Sequence, residues 1–183
     1  MAGALAHDSP VTWTAPEITR TEPPSVAGER AALDGWLDFH RDTLLIKCQG
    51  LTGGQLATRA AAPSSLSLLG LVRHMAEVER AWFSRRFAGQ PALALLYGTD
   101  DQPDGDLDLA GADTAEADFA VFRQECERSR QATAGHALDE TFTGKRGVVL
   151  DLRWAYLHMI EEYARHNGHA DILREQLDGV TGA

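Results

Sequence analysis

Two cysteines in 183 residues, Cys48 and Cys126, stand far apart and outside any CxxC spacing. That argues against a disulfide framework and against a cysteine-based zinc knuckle. A basic surplus is equally missing: 17 Lys and Arg against 27 Asp and Glu give a formal charge of −10. With no basic patch to release counterions, neither nucleic acid nor an anionic membrane is an expected partner. A small anionic substrate stays open, because a pocket needs only one or two arginines. The longest nearly uncharged run, residues 51–72, is interrupted by Pro63 and by Gly, Ser, Thr and Gln, so no membrane span is expected. The opening MAGALAHDSPVTW lacks a basic stretch followed by an apolar one. No secretion signal is read there, and a cytoplasmic protein is the expectation. No Gly-rich phosphate loop, GxSxG elbow or internal repeat is found.

What is present reads as one soluble domain. Hydrophobic residues at 44% and charged residues at 24% are ordinary for a globular protein long enough to bury a core. Residues 1–27 hold four of the seven prolines and read as an extended arm that wraps the domain or stays mobile. Residues 28–183 then form the domain itself. Leu33, Trp36, Leu37, His40, Leu44 and Leu45 predict a first helix over 28–48. Residues 50–62, with Gly53 and Gly54, read as a turn or short helix. Pro63, Ser64 and Ser65 read as the start of a second helix reaching Phe87, with Leu71, Val78, Ala81 and Trp82 on the face of His74. Residues 89–113 are rich in Gly, Pro and Asp. The run DDQPDGDLD lacks the order of a calcium loop and its final glutamate, so a solvated acidic loop is expected.

Thr114 reads as the cap of a third helix whose apolar surface comes from Ala117, Phe119, Val121, Phe122 and Cys126, ended by Gly135. In residues 136–149, Gly144 and Gly147 bracket Lys145 and Arg146 ahead of Val148 and Val149. A turn or hairpin is expected, overhanging a pocket beside the last helix and bringing Lys145 and Arg146 to a bound anion. The last helix covers 152–177. Four helices with one long crossover between the second and third describe an all-α four-helix bundle.

The last helix carries His158, Glu162, His166 and His169 at spacings of four, four and three. At roughly 100° per residue they fall within an arc of about 80°. The stripe borders Ala155, Met159, Tyr163, Ala170 and Leu173, the expected core positions. The plain alternative is a polar helix face, as with the Glu161–Arg165 pair and the solvated Arg174 and Glu175 expected nearby. For His74 alone, the plain alternative is a core histidine bonded to a backbone carbonyl. A metal explains both features together. A catalytic zinc takes about three imidazole or carboxylate ligands and keeps one position open. Glu162 and His166 form the best i,i+4 pair, and His74 is the best partner from a facing helix. His158 and His169 would then support the ligands or touch substrate.

The segments LLGLVRHMAEVERAWF and LRWAYLHMIEEYARHNGHADILRE resemble the DinB-like superfamily. More closely they resemble its actinobacterial members of unassigned function, grouped with the bacillithiol- and mycothiol-dependent S-transferases. The resemblance runs from about Glu29 to Gly179. It implies a four-helix bundle with a metal held by His74, Glu162 and His166. Many members have histidine where this chain has Glu162, although maleylpyruvate-isomerase-like relatives share the Glu-xxx-His pair. His169 stands where glutamine is common. The ion implied is divalent, zinc first, with Ni2+, Fe2+ or Mn2+ as alternatives.

The resemblance also implies a low-molecular-weight thiol, mycothiol in an actinobacterium, as cosubstrate for attack on an electrophile. His158 or His169 would take the proton, and Arg153, Arg165 or Lys145 would hold an anionic group. Two other classes remain: a metal-dependent hydrolase or isomerase, and a non-catalytic metal-binding or stress-related bundle. A homodimer is expected, since such bundles pair through a helical face.

Overall fold

A computed structural model of the protein describes residues 12–182. It is an all-α bundle with one small hairpin. In order come α1 (Glu29–Cys48), the short α2 (Gly53–Leu56), α3 (Leu68–Glu79) prolonged by a π-helical segment (Arg80–Phe87), and the short α4 (Gly105–Asp108). Then follow α5 (Ala115–Thr133), strands β1 (Thr141–Thr143) and β2 (Val149–Asp151), and α6 (Leu152–Asp178). α1 packs along α6, and α3 along α5. The long crossover joins the π segment to α5 and carries α4. No helix among the described residues is long and apolar enough to cross a membrane.

Local chemistry sets the boundaries. Asp151 caps α6 by accepting the Trp154 N–H at 2.7 Å. Gly179 ends that helix with φ +79°, a left-handed turn that suits glycine. The expected core residues Ala155, Met159, Tyr163, Ala170 and Leu173 are all buried. A fully buried side chain of the larger kind contributes about 1.5–3 kcal/mol by leaving water. The hairpin pairs Thr141 with Asp151 and Thr143 with Val149, so it delivers the chain directly into α6.

Four local expectations need correction. α3 starts at Leu68, capped by Ser67, whose hydroxyl accepts the Gly70 N–H at 3.1 Å. Ser64 cannot cap, because its hydroxyl accepts the Leu66 N–H inside the preceding turn. Thr114 stands at the N-cap position of α5, but its side chain caps no backbone N–H. Its hydroxyl donates to the Gly111 carbonyl and the Asp118 carboxylate. Ala117 faces solvent, and α5 is buried through Ala115, Phe119, Phe122 and Cys126. Arg174 is not solvated: it donates to the Lys47 and Gln49 carbonyls and pairs with Asp178, tying α6 to the end of α1.

Two further features hold the bundle. Residues 13–15 lie along the domain: Ala15 exchanges backbone bonds with Leu51 and Gly50, and the Trp13 ring meets Phe119 edge-on at 5.4 Å. At the centre, Arg41 of α1 makes a bidentate pair with Glu79 of α3, both contacts 2.7 Å. Tyr163 of α6 donates its hydroxyl to the same carboxylate at 2.7 Å, and the Cys126 thiol of α5 lies 3.9 Å away. One carboxylate thus touches all four long helices.

Candidate metal centre

His74 sits in the second turn of α3, facing α6. Four-residue spacing stacks His158, Glu162 and His166 on one side of α6. Packing the bundle brings His74, Glu162 and His166 together, with one ligand atom from each lying within 4.8 Å of the others. Glu162 Oε2 and His166 Nε2 are 3.5 Å apart, and the His74 and His166 rings meet edge-on at 4.8 Å between centroids. All three residues are partly buried. Around an ion with ligands at about 2.0–2.1 Å, neighbouring ligand atoms sit about 3.3–3.5 Å apart. The cluster therefore needs to close by at most about 1.3 Å to meet that spacing, and its two imidazoles and one carboxylate fit a divalent ion.

Burial decides the protonation of this cluster. Desolvation, reinforced by the adjacent His74 and His169, lowers the His166 pKa from 6.5 to about 4. His166 is therefore neutral near pH 7, the form in which an imidazole binds a cation. His169 reaches His166 through their Nδ1 atoms at 3.4 Å. His158 lies on the other side, its Nε2 3.5 Å from Glu162 Oε1. Desolvation also lowers its pKa, against the pull of Glu162 and Glu161. A second acidic grouping, His158 with Glu161 and Glu162, shares Glu162 with the first. Its Glu161 is exposed and already paired with Arg165, so the buried grouping is the better cation site.

One residue of the site escapes sequence reasoning. Asp106, placed in a solvated acidic loop by its neighbours, is buried in α4 and accepts a 2.7 Å hydrogen bond from His74 Nδ1. Burial opposes ionisation of this carboxyl, but the His74 hydrogen bond and charge and the nearby backbone N–H groups outweigh it and hold its pKa below 3.8. An ionised Asp106 can only accept, so a neutral His74 carries its proton on Nδ1 and keeps a free lone pair on Nε2. The loop is gripped by the preceding residue: Arg73 donates to the Asp106 carbonyl at 3.0 Å and to the Gly105 carbonyl at 2.9 Å. Glycine is required at 105, since a Cβ there would lie 2.6 Å from the Tyr97 carbonyl oxygen. Within this acidic run Leu107 packs against the core, whereas Leu109 stays exposed.

An aromatic shelf borders the site. Trp154 stacks on His158 at 4.9 Å and 16°, and Trp82 meets His158 at 4.5 Å. The arginines expected to bind an anion are engaged elsewhere: Arg153 with Glu29 and Asp151, Arg165 with Glu161. Lys145 lies in the hairpin turn, and its side chain is outside the described residues.

The all-α bundle, with its four long helices and one long crossover, is compatible with the DinB-like superfamily. Within it, residues 32–179 match the mycothiol S-transferase family, and the chain belongs to that family. No curated protein matches the chain.

Proposed function

We propose that the protein is a metal-dependent thiol S-transferase, using a low-molecular-weight thiol of the mycothiol type and a small electrophile. The observation that carries this reading is the convergence of His74, Glu162 and His166, a three-donor group among the described residues. A three-donor set leaves room for an exogenous ligand. These residues would hold the ion, zinc first, with Ni2+, Fe2+ or Mn2+ also compatible with the donors. When bound, a divalent ion supplies positive charge that lowers the pKa of a thiol beside it.

The chain's own cysteines are unsuited to the task. Burial pushes Cys48 up to about 12, and burial together with Glu79 raises Cys126. The nucleophilic sulfur must therefore come from the cosubstrate. In this reading His158, whose pKa is lowered by burial and which lies beside Glu162, accepts the thiol proton; His169, against His166, is the second candidate. The thiolate sulfur then bonds to the electrophilic carbon, the leaving group departs with its electron pair, and the proton passes to solvent. The reading includes a cytoplasmic homodimer, the latter checked by sedimentation.

The test is turnover of a chlorinated arene with mycothiol, followed by chloride and thioether release. Product is expected only with thiol present, and is expected to vanish in H166A. Consumption of electrophile at an equal rate without thiol would make the protein a hydrolase and overturn the proposal.

A further inference from the structure

In a chain with 27 acidic residues, Arg85 and Arg86 form no ion pair among the described residues. Arg85 donates to the Pro91 carbonyl at 3.3 Å. The Nη1 of Arg86 is buried with no hydrogen-bond partner. Burial, and secondly the charge of Arg85, lower the Arg86 pKa, as expected of a cation whose charge nothing offsets. Both arginines border two cavities, of about 250 Å³ beside Ala81 and Pro91 and about 580 Å³ beneath the hairpin at Phe142 and Thr143.

The position of Arg86 relative to the metal centre gives this feature its meaning. Its guanidinium lies 4.3 Å from the centroid of the Trp82 ring. Trp82 meets His158 at 4.5 Å, and His158 Nε2 lies 3.5 Å from Glu162. The π-helical segment sets this arrangement, with the Ala88 N–H reaching back five residues to the Phe83 carbonyl at 2.9 Å. Such wide turns occur frequently at functional sites. A guanidinium without a carboxylate partner, held against an aromatic ring, suits a planar carboxylate.

We infer that Arg86, assisted by Arg85, forms an anion subsite that holds a carboxylate of the electrophilic substrate beside Trp82, on the His158 side of the metal centre. The assignment to the electrophile rests on the transferase reading; anion binding itself does not.

Equilibrium titration of the metal-loaded protein with benzoate, and with uncharged benzamide, tests the subsite without any turnover. Benzoate is expected to bind at least tenfold more tightly than benzamide, and R86Q to lose that preference. H74A, which removes a metal ligand, is expected to keep it. Equal binding of benzoate and benzamide by the unmutated protein overturns the inference, and this comparison does not depend on any variant folding. A preference that survives in folded R86Q but disappears in H74A would place the anion on the metal and also overturn it. Failure of thiol-dependent turnover with the benzoate preference intact in H74A but lost in R86Q would defeat the transferase reading and leave the anion subsite standing.

Discussion

Two polar assemblies share α3 and α6 and are built on opposite principles. Around Glu79 every donor and acceptor is matched: Arg41 spans both carboxylate oxygens, Tyr163 adds a third bond, and the glutamate is fully buried. Around Glu162 the contacts are left loose. Imidazoles meet its carboxylate only at 3.5 Å, beyond a good hydrogen bond, and the site remains partly exposed. A closed network fixes how four helices sit against each other. We propose that the open one keeps its lone pairs for a metal ion.

The comparison breaks if the two assemblies respond alike to substitution. Glu79→Ala leaves the buried Arg41 guanidinium with Asp38 as its remaining carboxylate partner and Tyr163 without its acceptor, and is expected to cost about 3 kcal/mol of stability, read by urea denaturation. An effect below about 1 kcal/mol would mean that the network is not the brace described.

A smaller effect comes from pH. His166 titrates near 4 when folded and near 6.5 when unfolded, so between those values the unfolded chain binds the extra proton. Stability of the metal-free protein is therefore full above pH 6.5 and is lost as pH falls through 4. At about 1.4 kcal/mol per pH unit, the loss approaches 3 kcal/mol. Denaturation at pH 7, 5 and 4 should show this slope, and H166N should flatten most of it.

Smaller again is the effect of the carboxylate behind His74. Asp106→Asn is expected to weaken metal affinity about 10- to 100-fold, with the fold retained. Asp108→Asn, two residues on and half exposed, is expected to leave affinity unchanged. Equal losses would reduce the role of Asp106 to loop structure. The smallest expected change is His169→Ala, within about tenfold and less than that of Glu162→Ala, since His169 stands behind His166. The reverse order would move the helical ligand pair to His166 and His169.

Much of this was legible without coordinates, and the physical reason is periodicity. α1 and α6 are long enough for the apolar pattern to declare itself, and the Gly-bracketed hairpin announces its own turn. His74, Glu162 and His166 were candidates because spacing alone aligns two of them and the apolar face orients the third. Asp106 was not legible: composition describes a loop's average, and one aspartate among several acquires its role only by meeting a residue 32 positions away. Arg174 and Glu79 were missed for the same reason, because a charge reads as exposed until its partner is seen. The π segment has no apolar signature of its own, and the caps at Ser67 and Thr114 turn on which of several nearby hydroxyls the backbone selects.

The most direct measurement is metal content per chain, by elemental analysis of untagged protein beside its H74A and H166A variants. About one equivalent of zinc or another divalent transition metal is expected in the unmutated protein, and none in either variant, with helical content unchanged. A full equivalent in either variant, or no uptake by the unmutated protein when zinc is supplied, would contradict the assignment of these three residues as a metal centre.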